Sequence, residues 1–600
     1  MKPRIVRHRI DELDAPPVPP GLDPLLWGIY RARGVHSAAE LDRGLDRLLP
    51  PSGLNGMDAA VRLLSDAMAR GQRILVVGDF DADGATSCAV AVRALKAMGH
   101  RDVDFLVPNR FEFGYGLTPE IVEVARDFRP DLLITVDNGV SSVAGVAAAR
   151  ALGWKVLVTD HHLAGDELPA ADALVNPNAP GCGFPSKALA GVGVIFYVMV
   201  ALRGHLREIG WFEGARKGPP NMADYLDLVA LGTVADVVPL DRNNRILVHQ
   251  GLARIRAGRC RPGVAALLRV AGRDPASSRA VDMAFFAGPR LNAAGRLDDM
   301  SIGIRCLLSD SEIEARQLAD RLDQLNRARR KIENEMKREA EQMLSDRDLF
   351  DEAAQPWGVC LHRPGWHQGV IGILASRVKE KLHRPVIIFA DDGEDQLKGS
   401  ARSIPGLHIR DTLDEIAVRQ PNILSRFGGH AMAAGLSLRR ADLGTFAETF
   451  DAVVRHRLNP ADLKAEIRSD GELPVERLDL QTAESIAEGG PWGQGFEEPV
   501  FDGVFEVVDN RIVGDKHWKV QLRPRGTERV LDGIAFNGVE AMPELPPVIH
   551  AAYRLERNEW RGRSRLQLQL LALSEALEGG PVGRETEIDS GRKGSKKINI

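Results

Sequence analysis

The chain has 600 residues, 44% of them hydrophobic and 27% charged, with a net charge of -5. That length exceeds what one hydrophobic core serves, so several globular domains are expected, and the composition excludes a chain that is disordered throughout. The cysteines, Cys88, Cys182, Cys260, Cys306 and Cys360, are scattered and lack C-x-x-C spacing. This excludes a disulfide framework and a thiolate metal site and fits a reducing cytoplasm.

Residues 1–50 form a charged, proline-rich N-terminal segment without the apolar core of a signal peptide. Beyond it, short β-branched apolar runs at 74–77, 103–107, 132–136 and 156–158 read as strands buried on both faces. Alanine-rich stretches at 85–98 and 141–152 fill the gaps as crossover helices, which makes the region 51–309 a parallel α/β domain. Polar residues stand where each run stops: Asp79, Asp81 and Asp83 after the first, Asn109-Arg110 after the second, Asp137-Asn138-Gly139 after the third and Asp160-His161-His162 after the fourth. Strand carboxyl ends share one edge of an open parallel sheet, and ligands bind there, so these groups are expected to converge. Carboxylates one residue apart repel each other unless a cation neutralises them, which points to hard divalent ions. Taken alone, the Asp-Phe-Asp-Ala-Asp run also fits an acidic turn.

The apolar stretch 188–202 is too short and too interrupted by glycine to span a bilayer and reads as a buried helix, so no membrane partner is expected. A helix over 223–230 leads to Asp236, flanked by apolar residues. A carboxylate so placed needs a partner, although helix capping is the alternative. In Gly-Pro-Arg-Leu-Asn-Ala-Ala-Gly-Arg, Arg290 and Arg296 flank an asparagine and small residues, which lets guanidinium groups and backbone approach a phosphate. Near the second strand end, Arg110 is placed to grip a phosphate and Tyr115 to stack on a base or anchor its loop.

Residues 310–346 read as a long connecting helix, with most of the Arg327, Arg329, Arg330 and Lys331 cluster on a solvated face. A smaller α/β lobe follows over 347–460, with strands at 358–361 and 386–389 and a glycine-rich helix start at 365–373 that favours an anion. Over 465–575, alternating strands at 501–508, 517–522, 529–536, 548–554 and 565–570, with a turn at 558–562, suit an OB barrel. Trp518, Lys519, Arg523 and Arg525 are candidates for a strand-binding face of that barrel, whereas Trp492 and Trp560 read as packing or turn anchors. The basic tail, 576–600, reads as disordered. The expected fold is thus two α/β lobes joined by a long helix, plus a C-terminal β-barrel.

Taken in order, the motifs Gly-Asp-Phe-Asp-Ala-Asp-Gly, Val-Asp-Asn-Gly, Thr-Asp-His-His, Gly-Thr-Val-Ala-Asp, Gly-Pro-Arg-Leu-Asn-Ala-Ala-Gly-Arg and Gly-Gly-His resemble the DHH phosphoesterase superfamily, in particular its single-strand-specific exonucleases. The resemblance runs from about residue 75 to about residue 573. It implies two divalent cations, Mn2+ or Mg2+: Asp79 and Asp81 on one, Asp83, His161 and Asp236 on the other, and Asp137 bridging them. His162 would contact the scissile phosphate, and Asp160 would orient a ligand or cap its strand. Asn109, Arg110, Tyr115, Arg290, Asn292 and Arg296 would contact substrate from the first lobe. His367, Arg402, Ser403, Gly428, Gly429 and His430 would do so from the second, which resembles the DHH-associated domain, with Arg402 and Ser403 at a terminal 5′-phosphate.

The function so implied is 5′ to 3′ hydrolysis of single-stranded DNA to 5′-mononucleotides in DNA repair and recombination, by a cytoplasmic monomer working beside a helicase and a single-stranded-DNA-binding protein. The alternatives are a DHH phosphatase or nuclease acting on short substrates, and a catalytically inactive DNA-binding scaffold. The first is expected to lack the barrel and the second to have lost metal ligands.

Overall fold

The structure, a computed structural model, describes residues 3–8, 17–109, 113, 116–213, 218–346, 356–560 and 563–576. Arg110, Tyr115 and the tail from 577 lie outside the described residues. The chain divides into two compact units. One comprises residues 9–465 and 485–499, and the other residues 2–8, 466–484 and 500–600.

The first unit opens on a parallel sheet of β1 (Ile74–Gly78), β2 (Val103–Leu106), β3 (Leu132–Val136), β4 (Lys155–Thr159) and β5 (Ala173–Val175), in the order β2-β1-β3-β4-β5. β1 and β3 are buried along their whole length, which accounts for their unbroken apolar sequence. The short β5 was not legible as a strand, because three residues carry too little pattern. Helices α1 (Ala82–Ala97), α2 (Gly191–Glu208) and α3 (Leu226–Ala235) pack together beside the sheet. α3 ends at Asp236, its C-cap, so the helix runs five residues beyond the expected end at 230. The lone Gly232 does not break it. A Cβ there would lie 2.2 Å from Thr86 Oγ1 and 2.9 Å from Asp83 Oδ1, so glycine is what lets α3 lie against α1. α4 (Gly288–Leu297) is held the same way: a Cβ on Gly295 would lie 1.8 Å from the Phe80 carbonyl oxygen.

α5 (Glu312–Asp346) is 35 residues, about 52 Å, of connecting helix. It leads to a mixed sheet of β6 (Val359–His362), β7 (Val386–Asp391), β8 (Gln396–Arg402), β9 (Arg426–Gly429) and β10 (Ala433–Arg439), in the order β9-β10-β8-β7-β6. α6 (Ile371–Leu382) packs on β7 and β8. The glycine-rich motif at 365–373 precedes this helix more than it opens it, because Gly365 is left-handed with φ 84° and the residues after it turn before Ile371.

The N-terminal segment is not a unit of its own. Its helix Pro24–Ala32 belongs to the first unit, where Tyr30 stacks on Trp492 and Phe496 at 5.8 and 5.9 Å. Arg4–Arg7 belongs to the second unit and pairs in parallel with Glu466–Ser469. The rest of the second unit is a closed five-stranded barrel of β11 (Phe501–Val513), β12 (His517–Pro524), β13 (Leu531–Ala535), β14 (Val548–Trp560) and β15 (Arg563–Glu575), in the order β11-β12-β13-β15-β14. Of the turn expected at 558–562, Asn558 to Trp560 belong to β14, with Trp560 opposite Arg563, and 561–562 lie outside the described residues. Trp518 is not on a binding face: it is 6% exposed and its indole N–H donates to the Met542 carbonyl at 2.8 Å. Lys519, next to it and on the opposite side of the strand, lines a cavity of about 770 Å³ with Arg511, Arg563, Arg565 and Asn558.

Candidate active site

The strand order reverses at β1: β2 lies on one side of it and β3 on the other, which opens a crevice at their carboxyl ends. Asp79, Asp81 and Asp83 leave β1 there, Asp137 leaves β3, and His161 and His162 follow β4. Asn138 ties the rim together, its amide donating to the Val77 and Val136 carbonyls at 3.2 and 2.9 Å. Asp137 sits in the left-handed region with φ 61°, and so does Val237, next to Asp236, with φ 59°. For β-branched Val237 this is strained backbone, of a kind that concentrates at functional sites.

The carboxylates have distinct surroundings. Asp81 caps α1, its Oδ1 accepting from the Asp83 and Gly84 amides at 3.0 Å each. Asp83 is buried and faces the start of α2, accepting from Gly191 N at 2.7 Å and Val192 N at 2.9 Å. His161 Nε2 lies 3.1 Å from Asp137 Oδ1, 3.5 Å from Asp236 Oδ2 and 4.0 Å from Asp83 Oδ2. Ligand atoms of Asp83, His161 and Asp236 fall within 4.8 Å of one another, as do those of Asp79, Asp81 and Asp137 and those of Asp137, His161 and His162. Asp137 is therefore shared between groups, and the six expected ligands stand together.

Without a cation this arrangement is unfavourable for charge. Burial, reinforced by the Asp81 charge, pushes the Asp83 carboxyl up to about 7. Burial and the neighbouring carboxylates hold Asp137 and Asp236 well above the ordinary range. Burial lowers His161 to about 4, so its imidazole is neutral, as a ligand must be, and a backbone hydrogen bond with Leu189 helps to orient it. An oxygen-rich set with one imidazole fits Mn2+ or Mg2+ better than zinc.

Asp160 does not join the cluster. It accepts from Val140 N at 2.9 Å, His161 N at 2.7 Å, His162 N at 3.1 Å and His162 Nδ1 at 2.7 Å, so it aims both histidines. Burial opposes its charge, but the His162 hydrogen bond and the contacts beside it outweigh this and hold Asp160 below its ordinary value. Two residues that sequence reasoning missed complete the frame: Asn176 donates to the His162 carbonyl at 2.9 Å and Asn178 to that of His161 at 2.6 Å. Both follow the short β5, the element whose signal was too weak to read.

Across the cleft the second lobe supplies cations and glycines. The rings of His162 and His430 stack at 5.9 Å, and Arg296 donates to the Gly369 carbonyl at 3.0 Å. His367 Nδ1 accepts from Gly369 N at 3.0 Å. The Arg402 guanidinium lies over Gly372, where a Cβ would come within 2.9 Å of it, and donates to the Ala401 carbonyl at 2.7 Å. Burial lowers its pKa. Gly428 and Gly429 end β9 immediately before His430.

Three expected substrate contacts are differently engaged. Ser403 is 1% exposed and its hydroxyl donates to the Leu407 carbonyl at 2.7 Å, so it shapes the loop beside Arg402 and does not face a phosphate. Arg290 is 6% exposed and pairs with Asp323 of α5 at 2.8 Å, joining α4 to the connecting helix. Asn292 accepts from Ala82 N at 2.7 Å and thereby fixes the start of α1. Asn109 is exposed.

The chain is similar to known proteins over most of its length. The chain matches the DHH family, N-terminal domain, at residues 73–233, the DHHA1 domain at 356–456 and the RecJ OB domain at 469–572. It is 52% identical over 574 residues to the single-stranded-DNA-specific exonuclease RecJ of Escherichia coli K12, covering 95% of this chain and 99% of the relative. Crystal structures of Thermus thermophilus RecJ superpose with TM-scores of 0.76, in complex with Mn2+, and 0.71, in complex with Mg2+. They are 32% and 31% identical to this chain, cover 93% of it, and are themselves covered over 77% and 76% of their length. Domain matches, identity and coverage agree, and the chain belongs to the RecJ family of single-stranded-DNA-specific exonucleases.

Proposed function

We propose that this chain degrades single-stranded DNA from the 5′ end, releasing 5′-mononucleotides, with two divalent cations held by Asp79, Asp81, Asp83, Asp137, His161 and Asp236. The observation that carries this reading is that Asp137 groups with Asp79 and Asp81 on one side and with His161 on the other, while His161 also groups with Asp83 and Asp236, each group within 4.8 Å. Bound there, Mn2+ or Mg2+ would supply a Lewis acid that activates water and offsets the negative charge on the phosphoryl and leaving oxygens. The protein's own residues do the rest. Asp160 holds the His162 ring toward the cleft, where it can donate to a phosphate oxygen beside His430. Arg402, packed over Gly372 and largely removed from water, offers a guanidinium to a terminal phosphate, and in such surroundings that interaction is strong. Arg296, His367 and the Gly428-Gly429-His430 turn lie along the same cleft, and Arg110 and Tyr115 remain candidates on sequence alone.

Barrel residues Arg511, Lys519, Arg563 and Arg565 are the proposed contacts of this unit to a single strand, because they and Asp532 line a mostly basic cavity large enough for several nucleotide groups. An enzyme restricted to single strands needs duplex opened for it, so a helicase and a single-stranded-DNA-binding protein are the proposed collaborators, in cytoplasmic DNA repair. The test is digestion of 5′- and 3′-labelled single and double strands with Mn2+, Mg2+ or chelator. Release of labelled mononucleotide first from the 5′-labelled single strand supports the reading, whereas first release from the 3′ label overturns the polarity.

A further inference from the structure

The connecting helix α5 carries two kinds of cation. Arg316, Arg321, Arg327, Arg329 and Lys337 each meet a carboxylate, respectively Asp320 at 3.1 Å, Asp298 at 2.9 Å, Asp323 at 2.7 Å, Glu333 at 2.7 Å and Glu341 at 3.8 Å. Arg330, Lys331 and Arg338 meet none among the described residues, although the helix is rich in glutamate and aspartate. A helix that pairs most of its cations and leaves three neighbouring ones open is not a uniformly solvated charge run.

Their spacing puts them together. Positions 327, 330, 331, 334 and 338 follow steps of three and four, so Arg327, Arg330, Lys331, Asn334 and Arg338 form one stripe. The opposite side of the helix, with Leu322, Leu325, Met336 and Ala340, is buried. The stripe spans about 16 Å of helix, enough for several successive phosphates of one strand. These five residues and Glu335 line a shallow, open trough of about 450 Å³ between their long side chains. Attachments to both lobes lie along this part of the helix. Asp323, before the stripe, pairs with Arg290 of α4, the helix that also carries Arg296, and Glu341, after it, meets Lys381 of α6 at 2.9 Å. Glu333, within the span of the stripe, already meets Arg377 of α6 at 3.1 Å, so the stripe runs along the exposed side of the stretch of α5 that is anchored to the second lobe.

We infer that Arg330, Lys331 and Arg338 form a backbone-binding track for single-stranded DNA, which holds the part of the strand outside the metal cleft by its phosphates and without regard to sequence. Geometry favours DNA over an acidic protein. Three open cations and an amide form a line with no apolar or aromatic residue in the trough, which suits a repeating phosphate and offers a folded partner nothing to bury. The inference rests on the proposed exonuclease reading.

The test is the triple variant Arg330→Ala/Lys331→Ala/Arg338→Ala in the full chain. All three side chains are exposed, and an unchanged melting curve verifies the fold. With chelator present to prevent cleavage, the slope of log affinity against log salt for a strand of about 20 nucleotides should fall by about 2, at 0.7 per lost phosphate contact. In Mn2+, KM should rise about tenfold or more on that strand but less than about twofold on a tetranucleotide, which is too short to leave the cleft. The variant Arg330→Lys/Arg338→Lys should keep the original slope. An unchanged slope and KM would overturn the inference and leave the trough to a protein partner, and so would equal losses on both lengths. If the natural chain fails to release nucleotides from the 5′ end, the exonuclease polarity is what fails, and the slope still reports on the track.

Discussion

Replacing Asp83 with asparagine should separate stability from activity. The Asp83 carboxylate is buried against Gly191 N and Val192 N, and burial with the Asp81 charge raises its pKa to about 7 in the absence of a cation. An unfolded aspartate titrates near 3.9. The cation-free folded protein therefore keeps a proton that the unfolded chain gives up. The stability this provides is fully present below about pH 4 and is lost as pH rises through about 7. A separation of about three units is worth roughly 4 kcal/mol. The substituted amide cannot ionise, so this slope disappears, while its N–H₂ against a backbone N–H donor costs about 1–3 kcal/mol at every pH. Urea unfolding in chelator should thus show the natural chain losing stability between about pH 4 and 8, with Asp83→Asn keeping only the shallower slope that the raised Asp137 and Asp236 carboxyls contribute and being more stable at pH 8 by roughly 1–3 kcal/mol. Mn2+ at about 100 times its Kd should restore about 2.7 kcal/mol to the natural chain and less to the variant, which hydrolyses no DNA. Parallel pH curves for the two proteins, or a variant less stable at pH 8, would refute the account of Asp83 as a carboxylate kept for a cation.

Other consequences are more local. His161→Ala should abolish hydrolysis while single-strand affinity in chelator changes less than about threefold, because the proposed phosphate contacts lie on both lobes and not at this ring; filter binding checks it. Arg402→Ala should cost at least about tenfold more in kcat/KM on 5′-phosphorylated than on 5′-hydroxyl strands, as a charge-assisted contact requires, and equal losses would remove Arg402 from the terminal pocket. Gly295→Ala should displace α4 from the Phe80 carbonyl and with it Asn292, so steady-state kinetics should show kcat falling more than KM rises. In the second unit, Asp502 accepts from Arg7 Nη2 at 2.7 Å, Ser469 Oγ at 2.5 Å and His550 Nε2 at 3.0 Å. These bonds overcome the burial that opposes its charge and hold its carboxyl far below the ordinary range. The stability involved is present above about pH 4 and lost as pH falls below it, and Asp502→Ala should remove about 2–4 kcal/mol at pH 7, read by urea unfolding.

Which parts could be read from the sequence follows from the physics of each element. β1, β3 and β4 are largely buried on both faces, so they appear as apolar runs, and the topology of a parallel sheet then gathers the residues that follow them. The ligands stand at those ends, which is why the Asp79, Asp137 and His161 groups could be assembled without coordinates. β8 alternates small and polar residues on a half-exposed sheet, and β9 ends in Gly428-Gly429, so both read as motifs and not as strands. The misassigned contacts share a different cause. Arg290 is engaged by Asp323, Ser403 by the Leu407 carbonyl and Trp518 by the Met542 carbonyl. Whether a polar side chain faces a ligand or an internal partner depends on packing that no local pattern reports. The left-handed backbone at Asp137 and Val237 is likewise set by the surrounding structure, since neither residue favours it strongly.

The central claim is that six side chains from three strand ends and the end of α3 hold two divalent cations with Asp137 between them. Anomalous diffraction at the manganese edge from crystals of the chain grown in Mn2+ tests it directly. The account predicts two peaks, one beside Asp79 and Asp81 and one beside Asp83, His161 and Asp236, with Asp137 reaching both. A single peak, or two peaks that leave Asp137 bound to only one of them, would contradict it.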